Sequence, residues 1–590
     1  MSFRRVGRLA AILLPILLWL GCGQIYRPVV IPCSEGGIPG CPVETPPIPA
    51  NFHTVFAISA NAPGYPGGAM QIDVAGDTII GETPTEDESE PNLGDNPTHA
   101  AIVPNNSEVF VASAGSVVPG GLDLVSYFTP AFQSSTATGL GEVLTIALPT
   151  GSQPVFLDTT QNNVMYVANF GTNSVSAVNP TTDSVSNTGP AGTNPVALAE
   201  LGTGLKLYVA NQGSDSVSSL NTADLSSNPV TGFSGMTPVW VVARGDSQKV
   251  YVLTQGDGQL VTIDTATDTV TSSLPVGAGA NFMFFDPNLN RLYVTNPVTR
   301  MVYVFSDTGG ANDTPSQLAA ISFAAGSVPC PAGCSPASVT ALHDGSRFYV
   351  ASYRVAASCP DAFVGAASAC VIPGLTVFDA NSFAPKYPKA PTLSLLTYPP
   401  FAANLTTNQY QYAVPTVASC APPAPPAVYT PRTTRFRVFT TAAVDSSRVY
   451  VSLCDAGVIA VINTTGNNTN NSGDSGVPAD TVVTDLPAAF GVCAQSSCSS
   501  VVHVTGFSIT SNVVTFQAAN QFEAGQSLSI SGLKAGTYLN GVTLTVLATG
   551  LSGSQFECYF TYANVGPTSD SGTAIPEAPS QSPVFMLSGQ

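Results

Sequence analysis

The feature that most constrains this chain is a phrase repeated between residues 151 and 305. Asn163-Val164-Met165-Tyr166-Val167-Ala168-Asn169 returns as Lys206-Leu207-Tyr208-Val209-Ala210-Asn211, as Lys249-Val250-Tyr251-Val252-Leu253-Thr254 and as Arg291-Leu292-Tyr293-Val294-Thr295-Asn296. The four tyrosines are 42, 43 and 42 residues apart. A fixed period of this length marks a repeat architecture, in which each unit must stack on its neighbours to bury an apolar face.

Each unit opens with a Pro-led apolar run such as Asn194-Pro195-Val196-Ala197-Leu198, turns, and continues into the Tyr-Val strand. A strand with period-two alternation follows, as in Gln259-Leu260-Val261-Thr262-Ile263-Asp264, and then a short fourth one, Asp268-Thr269-Val270-Thr271. Four short strands joined by tight turns make an antiparallel meander, labelled a to d. The period matches one blade of an all-β propeller, where blades around an axis share a core and leave few exposed edges.

Tyr293-Val294-Thr295-Asn296 and Tyr166-Val167-Ala168-Asn169 resemble the repeat of the bacterial β-propeller family named for Tyr-Val-Thr-Asn. The resemblance covers most of residues 52–486 once degenerate copies are admitted, Val109-Phe110-Val111-Ala112-Ser113, Phe348-Tyr349-Val350-Ala351-Ser352 and Val449-Tyr450-Val451-Ser452. It implies a fold, and it brings no catalytic signature. Unit starts near Pro97, Pro154, Pro195, Pro238, Asn281, Pro336 and Arg437 give seven intact copies. An eighth, Val55-Phe56-Ala57-Ile58-Ser59 with Ala69–Val74 and Thr78–Ile80, lacks its first strand. Eight blades are expected, with seven as the alternative. Residues 583–588 resemble the Pro-led first strands and are expected to supply the missing one; the competing stretch is 487–492.

Five segments follow. Residues 1–22 read as an export leader, with Arg4, Arg5 and Arg8 before the apolar Leu9–Leu20 stretch. Its Gly21-Cys22 end resembles the lipobox of bacterial lipoproteins, which makes Cys22 the expected lipid-bearing residue. Residues 23–51 are a Pro/Gly-rich tether, 52–498 the propeller, 499–575 a small all-β module inserted near the C-terminus, and 576–590 a return segment with the closing strand. The acidic run Glu82–Glu90 reads as a solvated linker.

Only 9% of residues are charged, against roughly a quarter in an average soluble protein. Net charge is −19, so no basic stripe exists to release phosphate counterions, and a nucleic-acid partner is excluded. Twelve cysteines in an exported chain imply disulfides. Proximity suggests Cys33–Cys41, Cys330–Cys334, Cys359–Cys370 and Cys493–Cys498; Cys420–Cys454 follows from blade placement, and Cys558 is left over. No metal or cofactor motif is present: His53, His99, His343 and His503 lie far apart in sequence.

In a meander the a–b and c–d turns share one face of the disc, and the b–c and d–a loops share the other. The long segments Ser113–Gly121, Ser352–Gly374, Ala324–Ser335, Tyr398–Arg435 and the 499–575 module all belong to the second face. Thr129–Glu142 and Asn463–Asp480 decorate the first. The expected function is a monomeric cell-envelope lipoprotein, not an enzyme, whose disulfide-braced loop face binds a protein or glycan, with the membrane engaged through the lipid. The alternative is a propeller enzyme of the lactonase or quinoprotein kind using the central channel. The channel is expected to be lined around Val196, Val239, Phe282 and Val339, with His99 as a structural exception and no catalytic residue. Three or more carboxylates or histidines at one channel end would favour the enzyme.

Overall fold

The computed structural model describes the chain from Thr54 to Gly589, apart from 86–96, 114–123, 131–143, 357–369, 396–435, 466–477, 488–501 and several stretches of six residues or fewer. Cys22, Cys33, Cys41, Cys359, Cys420, Cys493 and Cys498 lie outside the described residues, as do the side chain of Cys370 and the competing stretch after Pro487.

Among the described residues, eight four-stranded antiparallel sheets take up the strands between Thr54 and Pro487 together with the C-terminal strand, and one six-stranded sheet follows. The chain folds as an eight-bladed β-propeller carrying a small β module. The innermost strands of blades 1 to 8 are Ser582–Ser588, Pro97–Ile102, Pro154–Asp158, Pro195–Glu200, Pro238–Ala243, Phe282–Asp286, Ser335–Ala341 and Val438–Ala442. Each contacts the next around the whole ring. Blade 1 takes its a strand from the far end of the chain: Ser582–Ser588 pairs with Thr54–Ala60, setting Phe585 opposite Ile58. Val584 and Met586 are thereby buried. In blade 7, strands b and c run as Arg347–Ala356 and Cys370–Asp379, pairing as far as Ala356 and Cys370. The Ser352–Gly374 segment, expected as a loop, is therefore partly a hairpin extension, in which Tyr353 and Val371 are buried. The module runs from Val502–Thr510 to Val565–Glu577 around its own core of Phe507, Phe516, Phe556 and Leu528.

The repeated motif works as structure. Its tyrosines are fully buried, and Phe56 and Phe110 take the same place in blades 1 and 2. Its asparagines tie the end of strand b to its surroundings, and Asn296 Oδ1 also accepts from the Val298 and Thr299 N–H groups of the b–c turn. Asn169 Nδ2 donates to Ser176 Oγ at 2.8 Å, and Asn296 Nδ2 to the carbonyls of Val276, Gly277 and Ala278.

Two residues before the tyrosine, a cation reaches an Asp in the c–d turn of the next blade. Lys206 meets Asp268 at 2.8 Å, Lys249 meets Asp307 at 2.8 Å, Arg347 meets Asp480, and Arg448 of blade 8 meets Asp77 of blade 1 at 2.8 Å. The tyrosine hydroxyls add to the grip: Tyr251 donates to Asp307 at 2.6 Å, Tyr208 to Asp268 and Tyr349 to Asp480. Asp77, Asp268 and Asp480 sit at φ of 49°, 51° and 57°, left-handed backbone that Asp tolerates better than most residues. Where the Asp is missing, the contact is of another kind. Phe383 holds the turn position of blade 7, and the Arg291 guanidinium lies 5.1 Å from its ring centroid. In blade 4 the position is Leu225 and the facing residue is Val164, both apolar.

Candidate functional site

Aligning the blades on the b-strand tyrosine shows what fills the axis. The a-strand residue paired two positions past that tyrosine or phenylalanine is Phe585, His99, Phe156, Ala197, Trp240, Phe282, Ser338 and Phe439 in blades 1 to 8. Six of these eight carry rings, and the rings touch across blades that are not neighbours, which only side chains at the axis can do. Phe156 meets Trp240 edge-on at 5.4 Å, and Phe282 meets Phe439 at 5.6 Å. Ala197 and Ser338 are the small residues lying between those pairs, and their size makes the approach possible. Phe436, just before the blade 8 strand, packs against Trp240, Phe282 and Phe439 at 6.0, 5.5 and 4.9 Å. The channel is therefore stoppered by an aromatic layer.

Of the four lining residues expected, Val196, Val239 and Val339 were each one residue away from the axis position. Blades 1 to 5 and blade 7 carry a β-bulge between the leading proline and the axis residue, as between Pro195 and Ala197 or Pro238 and Trp240. Blades 6 and 8, which lack the proline, have none. A bulge adds a residue and re-aims the strand. Val196 and Val239 are the added residues and turn into the core, as does Val339, while Phe282 of the unbulged blade 6 does line the axis.

On one side of the stopper is a cavity of about 360 Å³. It is lined by a-strand residues from the axis position onward in blades 1 to 5, so it opens on the face of the a–b turns, opposite the face of the long loops. Its floor is His99, Phe156 and Phe585, its walls Leu198, Ala199 and Val241, and its rim Asp158, Glu200, Arg244 and Ser588. His99 stacks between Phe156 at 3.8 Å and Phe585 at 4.2 Å, and its Nδ1 accepts from the Leu157 N–H at 3.3 Å. Burial pushes its pKa from 6.5 down to about 3, so the imidazole is neutral.

Asp158 and Glu200 are adjacent, with the Glu200 N–H donating to Asp158 Oδ2 at 2.8 Å. Arg244, 5% exposed, has four of its five N–H donors engaged. Its Nε and Nη2 donate to Asp246 at 2.9 and 2.6 Å, and its Nη1 to Asp307 and the Gly309 carbonyl at 3.1 and 2.8 Å. Among the described residues, no group of three or more His, Cys, Asp or Glu is arranged to hold a metal, and no helix is long and apolar enough to cross a membrane.

Of the cysteines, Cys330 and Cys334 form a disulfide with Cα atoms 5.9 Å apart. Cys454 is buried and disulfide-bonded, and Cys558 is a buried free thiol. The sequence reading missed Asp158 and Glu200. The period itself could have found them, because both close the a strand of a blade whose register the tyrosine sets.

No family model and no curated protein matches the chain. Solved structures do. The Pseudomonas aeruginosa periplasmic gluconolactonase PpgL is 12% identical with a TM-score of 0.41, over 74% of this chain and 97% of that one. A Bacteroides uniformis protein provisionally assigned as a 6-phosphogluconolactonase is 12% identical, with a TM-score of 0.38 over 74% and 99%. The β-propeller domain of Cps50 (Swd1) from Myceliophteria thermophila is 8% identical, with a TM-score of 0.40 over 62% and 95%. These are likenesses of fold, to lactonases and to a propeller of another kind alike. They correct the expectation that the chain is not an enzyme: propellers named as lactonases are among the structures it is similar to, and that exclusion is withdrawn.

Proposed function

We propose that this protein takes a small organic molecule at the channel mouth and hydrolyses it, in the manner of the enzymatic alternative left open by the sequence. The observation that carries the reading is the cavity: an aromatic and aliphatic floor, with His99, Asp158 and Glu200 gathered at one channel end. Its volume falls within the usual range for ligand pockets, and a few polar groups on an apolar lining are what such pockets share. Asp158 or Glu200 is placed to take a proton from water, whose oxygen adds to an ester or lactone carbonyl. The C–O bond then opens, and the leaving oxygen recovers the proton. Membership of the Tyr-Val-Thr-Asn repeat family, export on a lipoprotein-type leader and anchoring through Cys22 belong to the same proposal. They rest on the repeat motif and on the charged, apolar and Gly-Cys segments of the leader.

The test is hydrolysis of a panel of simple esters and lactones by purified protein, followed by pH-stat. Turnover above background that falls at least about a hundredfold in Glu200→Gln or Asp158→Asn, with the thermal transition kept, supports the reading. Turnover that is absent, or unchanged in both variants, overturns it. For the anchor, Cys22→Ala should release the protein from the membrane fraction.

A further inference from the structure

We infer that the channel mouth selects a cationic ligand, an organic ammonium ion on an apolar body, over neutral or anionic analogues of the same shape. This deepens the proposed function and rests on the mouth being a small-molecule site.

Charge around the mouth is one-sided. Arg244, the cation of the lining, is held by Asp246 and Asp307, and Asp307 also takes Lys249, which does not line the cavity. Lys249 is fully buried and is held by both Asp307 oxygens, at 2.8 and 2.9 Å, and by the Asp313 carbonyl at 2.6 Å. Lys249 has all three donors committed, and Arg244 has four of its five N–H groups committed and its charge answered by two carboxylates. Asp158 and Glu200 bring two carboxylates to the lining itself, where Arg244 is the single base. The rest of the molecule reinforces this field, with 37 acidic residues against 18 basic ones.

Below the rim the cavity offers no charge. Phe156, Phe585, Leu198 and Val241 and the neutral His99 form its floor and walls. A phosphate or carboxylate entering would lose its water without gaining a cation. An ammonium group would reach carboxylates at the rim while its apolar body filled the floor. The low-dielectric aromatic floor strengthens the field that the cation meets.

The test uses three compounds of one shape: 3-phenylpropylammonium, 3-phenylpropan-1-ol and 3-phenylpropionate. Binding to the full chain is measured by calorimetry. Emission of Trp240, one of two tryptophans in the chain and part of the aromatic layer under the cavity, reports on the site. The ammonium should bind at least about tenfold more tightly than the alcohol, and the propionate more weakly than either. That advantage should shrink in molar salt and in Glu200→Gln and Asp158→Asn. Equal binding of ammonium and alcohol overturns the inference about charge and leaves the small-molecule site standing. Failure of all three to bind or to move Trp240 emission overturns both.

Discussion

Arg448 and Asp77 lie 371 residues apart in the chain, and their side chains meet at 2.8 Å. Arg448 is fully buried and Asp77 nearly so, and the pair joins the last blade to the first. Arg448 Nε and Nη2 both donate to Asp77, while Nη1 is spent on the Ser447 carbonyl and Asn463. Removing one partner strands a charge in a low-dielectric interface, so Arg448→Met should cost about 3–5 kcal/mol. Chemical denaturation checks this, and Arg448→Met with Asp77→Asn should recover part of the loss.

Closure also depends on the strand Ser582–Ser588, which buries Val584, Phe585 and Met586. Deleting residues 582–590 should expose the edge of Thr54–Ala60 and open the axis. The melting temperature of the propeller should fall by many degrees and ANS binding should appear. Phe585→Ala alone should cost about 3–5 kcal/mol, since its ring stacks on both His99 and Phe439.

His99 gives the fold a pH dependence of known sign. Its pKa falls from 6.5 to about 3 on folding, so the folded state prefers the neutral ring. The stability it confers is fully present above 6.5 and is lost as pH falls toward 3, by about 1.4 kcal/mol per unit. Stability measured between pH 7 and 5 should fall more steeply for the wild type than for His99→Phe, which fills the same stack without a titrating group.

One blade junction sets acid against acid. Glu108 stands two residues before Phe110, where other blades carry a cation, and it faces Asp183. Burial and that like charge both raise the Glu108 pKa above 4.5, so the group favours the fold while protonated, below that value, and the contribution is lost as pH rises and the carboxylate forms. Asp183 is exposed, which keeps the effect small. Glu108→Lys should raise stability at pH 7 by roughly 0.5 kcal/mol, and the gain should vanish near pH 4. Paired thermal melts at the two pH values measure it.

The thiols separate by labelling. Cys558 is buried, and burial raises its pKa beyond any ordinary thiol range, so it should react with a thiol reagent only after denaturation. Cys454 should stay unlabelled even then unless a reductant is added. Non-reducing peptide mapping identifies its partner, for which Cys420 is the expectation from blade placement.

Period alone determined the architecture, because a meander that buries a Tyr-Val strand every 42 or 43 residues has one economical way to cover it. The split first blade and its return strand were legible for the same reason: a Pro-led run at residues 583–588 repeats a pattern found in five other positions. Two kinds of fact were not legible. The β-bulge after each leading proline moved the axis one residue along, from Val196 to Ala197 and from Val239 to Trp240, and a bulge leaves no mark in apolar periodicity. The channel mouth is the other. Asp158 and Glu200 are separated by a whole blade in sequence, and only stacking of blade 3 on blade 4 brings the Glu200 amide to the Asp158 carboxylate. Local spacing writes each blade, whereas contacts around the axis depend on how eight blades close. That closure is a tertiary event, decided by the size of the side chains that share the axis.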